Sequence, residues 1–194
     1  MKTKLIATCF ALLAFFSGCK KDKDGPTIII TMTTVSENVK IYMCGTDEFS
    51  IDWGDGSAIE TYIFEMDETR WIISSTNTHC YSDTFSHTIT ITGKNITTFD
   101  CSSNQLTSLD LSINNKLKWL ICSNNQLTSL NMKKNTELGV LDCSDNQLDA
   151  AALNIFFKTL HNRKMLNKGI YISNNPGTDG CDPSIATAKG WLVL

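Results

Sequence analysis

The chain has 194 residues, of which 42% are hydrophobic and 19% are charged, so it carries enough apolar side chains for one or two folded domains and is not a disordered chain. Its formal net charge is -3. Residues 1–18 hold two lysines and no acidic residue, so the rest of the chain is more acidic still. A surface of that sign does not attract the phosphates of nucleic acid.

The first 18 residues have the pattern of a secretory signal peptide. Lys2 and Lys4 precede a nearly unbroken apolar run over residues 5–16, which is too short to span a bilayer core of about 30 Å. No later stretch of the sequence reaches the roughly 18 apolar residues of a membrane-spanning helix. We therefore expect residues 1–18 to be removed during export, and Cys9 with them.

The sequence Phe-Ser-Gly-Cys at residues 16–19 resembles the lipobox of bacterial lipoproteins, in which small residues precede a cysteine that receives a diacylglycerol. Phe16 departs from the leucine usual there. The resemblance implies a lipidated Cys19 followed by a polar tether over residues 19–26, hence a protein anchored in the outer membrane that faces either the periplasm or the exterior. Several acyl chains together give a lasting anchor. An ordinary secretory signal with an incidental Cys19 is the alternative.

A period of 21 residues is the strongest pattern in the chain. Cys101, Cys122 and Cys143 are spaced by it, and each has an apolar residue five and two positions before it and an asparagine three positions after it. A fourth copy, with Ile170, follows after 29 residues. Over residues 96–177 this pattern resembles the leucine-rich-repeat consensus. The resemblance implies a short solenoid of about four turns over residues 95–194, each turn contributing one parallel strand.

Alternate side chains of such strands point inward, so the repeat predicts rows of buried residues on strands about 4.8 Å apart. The first predicted row comprises Phe99, Leu120, Leu141 and Ile170. The second comprises Cys101, Cys122, Cys143 and Ile172. The recurring asparagines predict a ladder of buried amides that bond backbone groups left unpaired at each turn. The ladder comprises Asn104, Asn125, Asn146 and Asn175.

Three other features of the repeats predict local structure. Residues 106–111 and 127–132 have the same apolar offsets, which predicts a second short extended segment per turn. In the third turn, apolar residues at i, i+3, i+4 and i+7 from Leu153 predict a helix with Asp149 as its N-cap. A second helical signal, with Asp182 as N-cap and Pro183 first, predicts a helical C-terminal cap. We expect Trp191, Leu192 and Leu194 to cover the end of the core.

Residues 27–94 read as a small antiparallel β-sandwich. Apolar and polar residues alternate over residues 27–33, 39–42 and 87–92, and turn signals separate these segments. The sequence Trp-Gly-Asp-Gly at 53–56, followed by His79 and Tyr81, resembles the polycystic-kidney-disease (PKD) repeat, an immunoglobulin-like extracellular module. Residues 60–78 do not align with it. The predicted fold class is therefore mostly β with minor α.

In the PKD family the Trp-Gly-Asp-Gly turn is structural, which implies a packing role for Trp53. The alternative interpretation makes Asp52 and Asp55 calcium ligands, although two carboxylates are few for an ion that takes about six to eight oxygens.

The positions of the cysteines after Cys19 indicate neither a metal site nor a cofactor. Cys101, Cys122 and Cys143 fall where small core residues belong, which favours free buried thiols, and no histidine or acidic residue lies at ligand spacing from them. Cys44 and Cys80 both lie in the sandwich segment and could form a disulfide after export.

No catalytic motif is present. The sequence has only three histidines, and neither a nucleophile elbow, a phosphate-binding loop nor a zinc-protease motif occurs. We therefore predict no catalytic residues and no small-molecule substrate.

Outward positions of the parallel strands predict a contact strip on the concave face. An apolar, partly aromatic stripe there is flanked by two aspartates, and aromatic residues are enriched where proteins meet partners. The strip comprises Thr98, Asp100, Trp119, Ile121, Val140, Asp142 and Tyr171. We predict a membrane-anchored envelope or cell-surface module that binds a protein or a glycan. A structural envelope protein with no dedicated ligand is the alternative.

Overall fold

The structure, a computed structural model, describes residues 27–67 and 72–194. The expected signal peptide, the lipidated Cys19 and the tether over residues 19–26 lie outside the described residues. The described part is mostly β with two short helices, as the apolar patterns of the sequence predict. Within it, no helix combines the length and the apolar character needed to cross a bilayer.

Seven strands form in the first half of the described chain. Strand β1 alternates buried Ile28, Ile30 and Met32 with more exposed neighbours, which confirms the strand predicted there. The seven strands are β1 (Ile28–Thr34), β2 (Asn38–Cys44), β3 (Glu48–Asp52), β4 (Glu60–Ile63), β5 (Glu65–Asp67), β6 (Ile72–Cys80) and β7 (His87–Gly93).

The second half contains short strands, two helices and a 3-10 turn. Their order along the chain is β8 (Thr98–Asp100), β9 (Leu106–Asp110), β10 (Trp119–Ile121), β11 (Val140–Asp142), α1 (Ala150–Thr159), β12 (Gly169–Tyr171), the 3-10 turn (Thr178–Gly180), α2 (Ser184–Thr187) and β13 (Leu192–Val193).

Two sheets hold these strands together. The first is antiparallel and has the order β4-β3-β7-β1-β9. The second is mixed and has the order β13-β12-β11-β10-β8-β2-β6-β5, with a parallel run from β8 to β13. Strand β8 is antiparallel to β2 and β9 is antiparallel to β1, so both sheets cross the boundary that the sequence predicts after residue 94.

The parallel run aligns the repeats in register. Phe99 pairs with Leu120, Leu120 with Leu141, and Leu141 with Ile170, and all of these side chains are fully buried. The predicted row is therefore confirmed. It belongs to a single hydrophobic core that extends from Ile28 to Trp191.

The predicted asparagine ladder is also confirmed. The Oδ1 atom of Asn125 accepts hydrogen bonds from the backbone N–H groups of Asn104 (3.1 Å) and Leu106 (2.9 Å), and its Nδ2 donates to the carbonyls of Cys101 and Cys122, both at 3.0 Å. The residue before each ladder asparagine has a positive φ, which turns the chain there. These residues are Ser103, Asn124, Asp145 and Asn174.

Only one of the two predicted second segments forms a strand. Residues 106–110 pair with β1 as β9, whereas residues 127–132 have no strand assignment. A strand requires a neighbour that satisfies its backbone groups, and β1 supplies one only to the first repeat. The extended segment is therefore confirmed as a strand for residues 106–110 and stays a prediction for residues 127–132.

Helix α1 begins as predicted, because the Asp149 side chain accepts a hydrogen bond of 2.7 Å from the N–H of Ala152. Its C-terminal end is closed by a contact that the sequence does not reveal. The Lys189 ammonium donates to the carbonyls of Phe157, Lys158 and Leu160 at 2.6–3.1 Å, which satisfies acceptors that a helix end leaves unpaired.

The C-terminal cap differs from the prediction in two details. Pro183, and not Asp182, is the cap residue of α2, and Asp182 accepts from the N–H of Ser184. Trp191 is buried as expected, but Leu192 and Leu194 are 59% and 47% exposed and do not cover the core.

Candidate functional site

The outward side chains of the parallel strands and of β2 form one continuous face, which we call the Trp119 face. Its side chains fall in two rows across the mixed sheet because the strands are in register. The first row is Cys44, Thr98, Trp119, Val140, Gly169 and Leu192. The second is Tyr42, Asp100, Ile121, Asp142 and Tyr171. The structure thus brings all seven residues of the predicted strip to one face.

Large apolar side chains are exposed on and beside this face. Trp119 is 54% and Tyr171 is 44% exposed, whereas Ile121 and Val140 are half-buried between their neighbours. In the loop before β12, Met165 is partly exposed and Leu166 is 93% exposed. Exposed apolar side chains that cluster in this way mark an interaction surface more often than scattered ones do.

Three adjoining grooves follow the Trp119 face. The Tyr42 groove, of about 850 Å³, lies between the end of β2 and Trp119. The Met165 groove, of about 650 Å³, lies between Trp119 and the loop before β12. The Leu192 groove, of about 600 Å³, lies beyond Val140. Trp119 lines the first two grooves and Val140 the last two, so each groove adjoins the next.

Gly169 keeps the Leu192 groove open. It occupies an outward position between Val140 and Leu192, and a Cβ atom placed on it would meet no heavy atom within 4 Å. A side chain at this position would therefore fill the groove without disturbing the core.

The two aspartates of the predicted strip stabilise the backbone turns that follow their strands. Asp100 Oδ1 accepts from the N–H (3.0 Å) and the hydroxyl (2.6 Å) of Ser102, and Asp142 makes the same pair of bonds with Ser144. This is the local turn that short acidic side chains favour. Both carboxylates hold the turn after their strands, which the sequence analysis does not anticipate.

The aspartates lie at the C-terminal ends of the parallel strands. The rim of the face at the N-terminal ends of these strands is mainly basic. Lys116 forms an ion pair of 3.4 Å with Glu137, and Arg163 donates to the carbonyl of Thr136 at 3.1 Å. Lys118 lines both the Tyr42 and the Met165 grooves. Among the residues that the structure describes, its ammonium has no hydrogen-bond or ion-pair partner.

The loop before β12, which lines the Met165 groove, is held in place by hydrogen bonds of Lys168. Lys168 is buried and donates to the carbonyls of Arg163 (2.9 Å) and Lys189 (2.6 Å), with its ammonium 5.2 Å from the centre of the Trp191 ring. Burial lowers its pKa, yet these acceptors and the ring compensate the charge. Trp191 in turn donates to the carbonyl of His161 at 2.9 Å. Sequence reasoning missed this network because its members are far apart in the chain.

A second cluster of polar and aromatic side chains lies at the turn after β3. Trp53 stacks on His79 with ring centres 4.7 Å apart, and His79 Nε2 lies 2.8 Å from Asp55 Oδ2. Tyr81 stacks on His87 and donates to the carbonyl of Trp53 at 2.7 Å. Trp53 is buried, as the structural interpretation of this turn predicts.

The carboxylates of this turn bond the turn itself. Asp52 accepts from the N–H of Gly54 at 3.0 Å, and Asp55 accepts from the N–H of Ser57 at 2.9 Å. Hydrogen bonds from Ser57, and then the contact with His79, hold the pKa of Asp55 well below its ordinary value. Within residues 27–67 and 72–194, no three His, Cys, Asp or Glu side chains converge on a metal-sized site.

The structure contradicts the disulfide considered for Cys44 and Cys80. Cys44 pairs with Ser74 and Cys80 with Asn38, at opposite ends of the β2–β6 ladder, so the two thiols are about 20 Å apart at the spacing of strand residues. Both are free. Cys101, Cys122 and Cys143 are free and buried, and burial raises the pKa of each thiol.

Comparisons with protein-family models, with curated proteins and with solved structures found no match. The fold and the face define a mostly β protein in which an antiparallel sheet is joined to a mixed sheet that carries the three adjoining grooves.

Proposed function

We propose that this chain is a lipid-anchored envelope module that binds a partner protein through the Trp119 face. The observation that carries the proposal is the exposure of Trp119 and Tyr171 on one sheet face beside three adjoining grooves. Aromatic residues, methionine and arginine are enriched in protein interfaces, and Trp119, Tyr171, Met165 and Arg163 all lie there.

The architecture proposed is a short leucine-rich-repeat solenoid whose first turn is capped by an immunoglobulin-like, PKD-like sandwich. The 21-residue period, the in-register row from Phe99 to Ile170 and the asparagine ladder support it. Pairing of β8 with β2 and of β9 with β1 supports the capping role, because it covers the end of the parallel run. The Trp119 face would be the concave face of that solenoid.

A protein is a better partner than a glycan for this face. Glycans are recognised mainly by flat aromatic rings and polar groups, and the rings of Trp119 and Tyr171 could serve that purpose. The exposed aliphatic chains of Met165, Leu166 and Leu192 would gain little from a sugar, whereas they match the apolar core of a protein interface.

The anchor is proposed from the sequence at residues 16–19. Strand β1 begins at Ile28, and the few residues between it and Cys19 can extend over at most about 30 Å. A lipidated Cys19 would therefore keep the folded part close to the outer membrane. Proteolysis of intact cells would determine which side of that membrane the protein faces.

The test compares three variants of the full chain on arrays of envelope proteins, host proteins and glycans. Trp119→Ala and Tyr171→Ala should each weaken binding to a protein partner by about tenfold or more, as expected for central aromatic anchors. Phe85→Ala is the matched control, because Phe85 is an exposed aromatic residue, 74% accessible, outside the face. If no binding event depends on Trp119 or Tyr171, the structural alternative is favoured.

A further inference from the structure

The wall between the Tyr42 and Met165 grooves is formed by Lys118 and Trp119, which are adjacent in sequence and line both grooves. Lys118 directly precedes β10 and Trp119 is its first residue. An exposed cation and an exposed indole ring therefore lie side by side at the basic rim of the Trp119 face. Glu137 contacts both grooves as well.

The lining of the two grooves is positively charged, whereas the whole chain is negatively charged. The chain carries a net charge of -3, yet the charged residues that line the two grooves are Lys116, Lys118, Arg163 and Glu137. Lys116 neutralises Glu137, and Arg163 is partly engaged by Thr136. Lys118 is the cation that no described residue engages, so it is the group available to an incoming anion.

The surroundings of Lys118 restrict the kind of anion. Trp119, Val140, Met165 and Leu166 line the Met165 groove, and Ile121 lines the Tyr42 groove with Trp119. A free phosphate or a phosphodiester chain would leave these apolar side chains uncovered. A ligand that fits must bring an apolar or aromatic group within a few residues of its negative charge, and a peptide segment does so readily.

We propose that the two grooves beside Lys118 and Trp119 bind a segment of the partner protein in which carboxylates neighbour aromatic or apolar side chains. In this arrangement a carboxylate pairs with Lys118 while the apolar side chain packs on Trp119 and enters the Met165 groove. This inference deepens the proposed function and rests on it.

The probe is a random copolymer of glutamate and tyrosine, which presents carboxylates and aromatic rings on an unstructured peptide chain. Polyglutamate lacks the rings, a lysine–tyrosine copolymer has the opposite charge, and polygalacturonate is an anionic glycan. Binding of each polymer is measured to the wild-type chain and to its Lys118→Glu and Trp119→Ala variants. Lys133→Glu is the matched control, because Lys133 is exposed on a turn outside the three grooves. Circular dichroism verifies that each variant is folded.

We expect the glutamate–tyrosine copolymer to bind, and binding to weaken about tenfold in Lys118→Glu and in Trp119→Ala but not in Lys133→Glu. Binding should also decline as salt is added. The inference would be overturned if Lys118→Glu bound the copolymer as well as the wild type does. It would also be overturned if the wild type bound polygalacturonate instead of the copolymer and that binding weakened in Lys118→Glu and Trp119→Ala. If Trp119→Ala abolishes binding to an array protein while Lys118→Glu does not, the proposed function stands and the acidic-segment inference fails.

Discussion

Asn125 shows how one buried amide holds consecutive repeats together. Its side chain accepts from two backbone N–H groups of the preceding repeat and donates to carbonyls of both repeats. Asn146 and Asn175 repeat the pattern on the next turns. The ladder therefore replaces backbone pairing at a turn where no strand can supply it.

We predict that Asn125→Ala lowers the free energy of unfolding by about 3 kcal/mol or more, because several buried backbone groups lose their partner at once. Denaturant titration measures the change. Asn115→Ala is the control, since Asn115 is exposed one turn away, and it should differ little from the wild type. Equal effects at the two positions would contradict the structural role of the ladder.

Asn114 and Asn135 form a second buried amide pair that the sequence analysis missed. Asn135 donates to the carbonyls of Leu111 (3.0 Å) and Asn114 (2.7 Å), and both asparagines are fully buried. The two asparagines are 21 residues apart, which matches the period of the repeat and could have indicated a second set of buried amides. The match is easily overlooked because the polar residues around both positions resemble an ordinary exposed loop.

Asp55 makes stability depend on pH. The folded state holds the pKa of this carboxylate well below its ordinary value, chiefly through Ser57 and then through His79. Its contribution to stability is therefore complete above about pH 4, the pKa of an unfolded aspartate, and is lost as the pH falls further toward the folded-state pKa.

We expect the wild type to be more stable than Asp55→Asn at pH 6, and the difference to narrow as the pH is lowered below about 4. Denaturation midpoints at several pH values measure this. Asp179→Asn is the control, because the Asp179 carboxylate has no hydrogen bond within the described part of the chain. A difference that stays constant with pH would show that the charge of Asp55 is not what stabilises the turn.

Strands β8 and β9 connect the two halves of the protein. Strand β8 bonds β2 on one side and β10 on the other, while β9 extends the antiparallel sheet beside β1. The alternation within residues 27–93 predicts strands correctly, but it cannot predict that the first repeat completes both sheets. That pairing joins residues far apart in the chain, and local periodicity carries no information on it.

Phe99→Ala tests this connection. Phe99 lies in the centre of β8, is fully buried, and pairs with Met43 on one side and Leu120 on the other. Its truncation should cost about 3 to 5 kcal/mol, and hydrogen exchange should accelerate in β7 as well as in β11 because one core serves both halves. Ile155→Ala, on the exposed side of α1, is the control. Acceleration confined to one half would show that the halves unfold independently.

The Trp119 face is assembled from several parts of the chain. The repeat alone predicts the outward residues of β8, β10, β11 and β12, because every turn has the same inward and outward positions. Tyr42 and Cys44 enter the face only through the pairing of β2 with β8. Met165 and Leu166 enter through the loop that Lys168 holds in place. These parts could not be inferred, since they depend on tertiary contacts rather than on the period.

Gly169→Phe tests whether the contact surface continues into the Leu192 groove. A side chain at this position projects into open space and meets Val140 and Leu192 in its row, so the melting temperature should remain close to that of the wild type. Binding to a partner protein found on the arrays should fall by about tenfold, because the groove is filled. Ser129→Phe adds the same ring at an exposed position outside the grooves and should leave binding intact. Full binding by Gly169→Phe would restrict the contact surface to the two grooves that flank Trp119.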